Sequence, residues 1–157
     1  EHYINPYENG WQNRYYDKCF HIEYNEERMK QISNNFLEAL EWTYTYYTNE
    51  CKCWKWKYNY NYAPLLQDLY NFIPYFETEF ISNGSNIPLE PVVQLAYVLP
   101  PDSLHYIQNK HCDRLKDYLN SIQSSYAIEW MFCKYLWESH VHMPNININT
   151  LKTILAN

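Results

Sequence analysis

The stretch Cys51–Pro64 constrains this chain more than any other, because its aromatic residues recur at every second position. Trp54, Trp56, Tyr58, Tyr60 and Tyr62 alternate with Lys55, Lys57, Asn59 and Asn61. In an extended run, a period of two puts all these rings on one face and the polar residues on the other. Such a face is either half-buried core or a platform on which a flat ligand stacks. Core is the first reading, since buried aromatic residues are commoner than binding platforms.

The rest of the chain supports an aromatic core. Phe, Trp and Tyr make up 19% of the 157 residues, while only two are Gly. Tyr and Trp combine an apolar body with a polar tip, so a negative mean hydropathy accompanies strong apolar patterning without implying disorder. A chain of this length is expected to form a single domain over 1–157 with a substantial core. The formal charge of −6 argues against a broadly basic nucleic-acid binder, whose affinity comes from neutralising phosphates. Any contact with nucleic acid should therefore rest on stacking at a local patch. Lys52, Lys55 and Lys57 form the densest basic cluster, and they lie inside the aromatic stretch.

Five Cys, with no apolar run of spanning length and no secretory core, suit a reducing intracellular setting and no membrane. That setting is the cytoplasm or nucleus, or a virion or viral factory for a viral protein. The start at Glu1 is what a segment of something longer would show.

The clearest helix is expected over 26–48. Asn25 suits the N-cap, Glu26 and Glu27 put negative charge on the first turn, and Met29, Ile32, Phe36, Leu37, Leu40, Tyr44 and Tyr47 form one stripe. A short helix is expected near Trp11–Phe20. Another should open at Ala63–Pro64, with Leu65, Leu66, Leu69 and Phe72 or Ile73 on its apolar face, and stop at Pro74. Asn83, Gly84, Ser85 and Asn86 read as a loop. Pro91 opens an apolar helix ended by Pro100 and Pro101, and 102–123 reads as one further helix with a break. Alternation through Ile128, Trp130 and Phe132, and around Val141, favours short strands between Tyr126 and Met143. Asn149 is the expected cap of a last helix holding Leu151, Ile154 and Leu155. The fold class is α+β, mainly α, with one long helix organising shorter ones and a few short strands near the C-terminus.

Metal and nucleophile motifs are weak. Cys51 with Cys53, His111 with Cys112, and His140 with His142 lack the spacings of common structural zinc sites. Cys112 or Cys133 beside a His would need a third orienting group that the sequence does not supply. Lys52, Lys55 and Lys57 read first as a solvated face and second as phosphate contacts. Glu38, Glu41 and Asp68 read as surface or capping groups.

Several blocks, in order, resemble the second conserved region of the XRN family of 5′→3′ exoribonucleases. Trp11, Arg14, Tyr15, Tyr16 and Phe20 fall on W-x-x-R-Y-Y-x-x-x-F. Ala39, Leu40, Trp42, Tyr46 and Tyr47 fall on G-L-x-W-x-x-x-Y-Y, with Ala for Gly. Cys51, Trp54, Trp56, Tyr58, Tyr60, Tyr62, Ala63, Pro64 and Asp68 match C-x-S-W-x-W-Y-Y-P-Y-H-Y-A-P-x-x-x-D without a gap. Pro88, Pro91, Gln94, Leu95, Val98, Leu99, Pro100, Pro101 and Ser103 look like P-F-x-P-x-x-Q-L-x-x-V-L-P-P-x-S. Trp137, Met143, Pro144, Ile146 and Leu151 are similar to W-x-x-x-x-L-L-P-F-I-D-x-x-x-L, with Asn147 at the Asp. The chain departs from the aromatic pattern at Lys57, Asn59 and Asn61, which stand for Tyr, Pro and His.

The resemblance implies a part of a 5′→3′ exoribonuclease that helps form the pocket for the 5′ nucleotide of RNA carrying a 5′-monophosphate. Trp56, and next Trp54, are the expected stacking residues, with Lys52, Lys55 and Lys57 as weaker candidates for the RNA backbone. Magnesium is implied for the family, on clustered carboxylates in a separate first region. The carboxylates here are scattered as Glu26 and Glu27, Glu38 and Glu41, Glu77 and Glu79, and Asp113 and Asp117, so neither a metal site nor a catalytic residue is expected in this chain. The alternative is a non-catalytic, exonuclease-like scaffold or assembly protein that kept the aromatic core for stability.

Overall fold

Asn25 starts the longest element as its composition requires: its Oδ1 accepts the amide N–H of Arg28 at 2.9 Å and caps the helix Glu26–Thr48, termed α2. The computed structural model describes residues 3–82, 84, 87–107, 112–122, 127–130, 135–142 and 144–156. The fold is α+β and mainly α. It divides into two compact units, Glu1–Pro88 and Leu89–Asn157, each with its own buried cluster.

The first unit holds α1 (Trp11–Phe20), α2 and α3 (Leu66–Asn71). Gly10 precedes α1 with φ 77°, a left-handed conformation that costs Gly little. Arg14 gathers the chain before α1 by donating to the carbonyls of Ile4, Asn5, Glu8 and Asn9. A planar guanidinium with five N–H donors suits this task, which explains an Arg at that position of the motif. The core is Tyr16, Met29 and Ile32, with Phe20, Tyr60, Leu65 and Phe72 packed around them.

Two expectations for this unit need correction. Leu40, Tyr44 and Tyr47 do not continue the buried stripe of α2, being 52%, 66% and 80% exposed. The packed face shifts by nearly half a turn, to Asn35, Glu38, Trp42 and Thr45, because the segment after α2 lies along that side. The helix expected from Ala63–Pro64 begins at Leu66 instead. Leu65 stays extended at ψ 140°, and its N–H is taken by the Tyr16 hydroxyl at 3.0 Å. Of its expected apolar face, Leu69 is buried while Leu66 and Ile73 are exposed.

In the second unit, α4 (Pro91–Val98) has Pro91 in its first turn, and Leu99 is extended ahead of Pro100. The helix expected over 102–123 is broken, into a 3-10 helix at Pro101–Tyr106 and α5 at Cys112–Ile122. Cys112 Sγ donates to the Ile107 carbonyl at 2.8 Å across the break. Val93, Ala96, Leu104, Ile107, Leu115, Leu119 and Leu151 form the core. Two short strands, β1 (Ala127–Glu129) and β2 (His140–His142), pair antiparallel with Ile128 opposite Val141. The last helix, α6 (Ile148–Ala156), is capped by Asn147 rather than Asn149: its Oδ1 accepts the N–H groups of Asn149 and Thr150 at 2.9 and 3.3 Å. Asn83, Ser85, Asn86, His111, Tyr126, Phe132, Cys133 and Met143, named in the sequence reading, lie outside the described residues.

Candidate functional site

The aromatic stretch is held against α2 by three side chains spaced three and four residues apart, so that they share one face of the helix. Asn35 Oδ1 accepts the N–H of Asn59 at 3.0 Å, and Glu38 Oε2 accepts Trp56 Nε1–H at 3.3 Å. Trp42 Nε1–H donates to the carbonyl of Cys53 at 2.9 Å. The segment therefore runs antiparallel to the helix. It is not a strand. The N–H of Trp56 closes a turn on the Cys53 carbonyl at 3.3 Å, which shortens the path enough to match the small rise of a helix.

Alternation survives without strand geometry, because the rings insert at successive places along α1 and α2. Trp56 stacks on Trp42 with centroids 5.9 Å apart, and Trp42 stacks on Tyr46 at 5.1 Å. Trp54 meets Tyr46 edge-on at 6.1 Å, Tyr58 meets Phe36 edge-on at 5.7 Å, and Tyr60 packs on Phe20 at 5.5 Å. Lys55, Lys57, Asn59 and Asn61 are all exposed. The Tyr58 hydroxyl donates to the Tyr62 carbonyl at 2.7 Å, and burial pushes its pKa well above the ordinary tyrosine value. Tyr58 is thus a neutral structural group near neutral pH.

The structure separates the candidate residues. Trp54 is 45% exposed, whereas Trp56 is half-buried with one face against Trp42. Lys52 parts from the other two lysines: its Nζ pairs with Glu41 at 2.8 Å and Glu79 at 3.1 Å, which raises its pKa. Burial, the largest influence on Glu41, raises its pKa. Lys52 and the N–H groups of Phe80 and Ile81 outweigh it and hold the carboxyl below its ordinary value. Glu38 and Glu41 are thus half-buried tethers rather than surface groups.

Asp68 also differs from its expected surface or capping role. It is 6% exposed, with Oδ2 accepting from Tyr16 at 2.7 Å and Oδ1 from Tyr24 at 2.9 Å. A cleft of about 530 Å³ opens above this group, lined by Trp11, Gln12, Leu65, Gln67 and Asn71 among others. It lies apart from Trp54 and Trp56, neither of which lines it. The signal for Asp68 was present in the sequence, where the aromatic block ends on an Asp and the first block carries paired tyrosines. Spacing alone does not show that they meet.

Among the described residues, no group of three or more His, Cys, Asp or Glu is placed to hold a metal ion. Glu38, Glu41 and Asp68 are each engaged by protein donors. Among the described residues, the donor set does not fit the metal centre that the resemblance implies. No described helix is long and apolar enough to cross a membrane.

Residues 3–157 match the family described as the Xrn1 helical domain. The chain is 29% identical over 157 residues to 5′-3′ exoribonuclease 2 of Gallus gallus, covering 97% of this chain and 16% of that protein. It is 29% identical over 153 residues to 5′-3′ exoribonuclease 2 of Schizosaccharomyces pombe, covering 94% and 15%. The same-named protein of Saccharomyces cerevisiae is 26% identical over 159 residues, covering 98% and 15%. The chain thus spans about a sixth of the length of the curated relatives it matches. With the family matched over nearly all its length, this chain belongs to the Xrn1 helical domain family.

Proposed function

We propose that this chain forms part of an XRN-like 5′→3′ exoribonuclease and supplies aromatic surface on which the 5′ nucleotide of an RNA end stacks. The observation that carries the reading is the arrangement of Trp54 and Trp56. Trp54 keeps much of its surface in solvent, and Trp56 is backed by the Trp42–Tyr46 stack on α2. Base–aromatic stacking is worth about 1–3 kcal/mol per base and tolerates any sequence, as an enzyme that degrades RNA from its end requires. A rigid ring loses less freedom on binding than a mobile one, which gives the backing stack a purpose beyond core packing.

Phosphate contact falls to Lys55 and Lys57, since Lys52 is occupied by Glu41 and Glu79. The substrate is RNA with a 5′-monophosphate. The hydrolytic step belongs to magnesium-binding carboxylates outside this chain, in a separate first region on another segment or chain.

Purified chain incubated with 5′-monophosphorylated RNA and magnesium should bind the end weakly and leave it intact. Cleavage by the chain alone would overturn the placement of the metal centre. A second reading, a non-catalytic scaffold, is favoured by the heavy structural use of the same rings. Trp54→Ala and Trp56→Ala separate the two. Unchanged RNA-end binding with lowered thermal stability supports the scaffold, and lost binding with a retained fold supports stacking.

A further inference from the structure

The Trp56 ring is held by more than packing. Its Nε1–H points at Glu38 Oε2, and the same oxygen accepts Asn35 Nδ2–H at 2.8 Å. Asn35, only 8% exposed, uses its other end to accept the N–H of Asn59. The polarity of this relay is unambiguous. A backbone N–H only donates, so the Asn35 amide must present its oxygen to Asn59, which leaves its nitrogen to donate to Glu38. The relay also depends on a departure from the family pattern. That pattern has proline at the position of Asn59, and proline has no N–H to give.

A tryptophan ring turns about a broad, roughly two-fold torsion, so contact with Trp42 on one face leaves its in-plane direction open. The bond to Glu38 closes that freedom. Resting on the stacking reading above, we propose that Asn35 and Glu38 are positioning residues, which hold the Trp56 indole in the plane that receives the 5′ nucleotide. Glu38 binds the indole edge and leaves the ring face for the base. Asn35 orients the carboxylate and ties it to the backbone on the far side of Tyr58.

Glu38→Gln and Glu38→Met test this, with Trp56→Ala measured beside them. Gln keeps an oxygen that accepts the indole proton, whereas Met has similar bulk and lacks one. Binding of a 5′-monophosphorylated oligoadenylate to the 157-residue chain is read by tryptophan fluorescence, and folding by thermal melting. We expect Glu38→Met to weaken binding about tenfold, within the range of one lost stacking contact, and Glu38→Gln to bind within about twofold of the parent. The Trp56 indole N–H resonance should exchange faster with solvent in Glu38→Met alone.

If Trp56→Ala weakens binding but Glu38→Met, still folded, binds like the parent, the positioning role is wrong and the stacking reading stands. If Trp56→Ala binds like the parent, or the parent binds no oligonucleotide, the stacking reading fails and the positioning role fails with it. Loss of a cooperative melt in Glu38→Met makes the carboxylate a determinant of the fold and also overturns the proposal.

Discussion

The hydroxyl of Tyr16 lies 2.7 Å from Oδ2 of Asp68, joining α3 to the middle of α1. The same hydroxyl accepts the N–H of Leu65 at 3.0 Å, so one buried oxygen serves a carboxylate and a backbone amide together.

Tyr16→Phe leaves both partners in a poorly solvated site and should cost about 2–3 kcal/mol, at the upper end for unsatisfied buried groups. Tyr24→Phe removes only one bond, from a more exposed ring, and should cost about 1 kcal/mol. Urea unfolding of both variants checks the order. Equal costs would mean that the Leu65 amide finds another partner.

Burial and the Asp68 bond raise the Tyr16 pKa well above its ordinary 10.0, and burial pushes Tyr15 up to about 12. Native tyrosines then keep protons that the unfolded chain gives up. Their contribution to stability is intact below pH 10.0 and falls as pH rises above it. Alkaline titration followed by ultraviolet absorbance should show exposed tyrosines ionising first, with Tyr15 and Tyr16 ionising only as the fold is lost. Tyr16→Phe should flatten the alkaline limb of the stability profile.

Glu41 behaves in the opposite sense. Its folded pKa lies below the ordinary 4.5, so its contribution is present above that pH and is lost as pH falls through the lower folded value. Glu41→Gln should lower the melting temperature at neutral pH and weaken its fall in acid. A parallel acid limb in the variant would show that Lys52 and Phe80 do not hold the charge.

Asn147 caps α6, so Asn147→Ala should cost about 1 kcal/mol while Asn147→Asp should be neutral or slightly stabilising. Thermal unfolding of the two variants tests this. A capping role accommodates the Asp that the family pattern carries at that position, since Asp caps as well as Asn.

Trp42→Phe keeps an aromatic ring between Tyr46 and Trp56 but leaves the Cys53 carbonyl without its indole donor. We expect a loss of about 1 kcal/mol and a weakened near-ultraviolet circular dichroism signal. An unchanged signal would show that the stack orders itself without that bond.

Much of the local structure was legible in the residues. Helix 26–48 was readable because Asn25 and the paired glutamates mark its start and the apolar spacing carries it forward. The start of α4 at Pro91 and its stop before Pro100 follow from a ring that fixes φ and removes an N–H, and the ordered motif blocks marked the family. Some features were not legible. The stripe of α2 could not reveal that Leu40, Tyr44 and Tyr47 stay exposed, because periodicity states that a face is apolar and not what covers it. Spacing likewise gave Asp68 no partner, since Tyr16 and Tyr24 are distant in sequence.

The sequence by itself determined the bounds of α1, α2 and α4, through caps, prolines and period, all of which act within a few residues, but it misplaced the starts of α3 and α6. Only the tertiary structure decided what the rings of Cys51–Pro64 do. It laid the segment antiparallel to α2, gave Lys52 to Glu41 and Glu79, and turned Trp56 onto Glu38. Those outcomes depend on donors and acceptors meeting across 11 to 27 residues of chain, a distance over which local propensity has no influence.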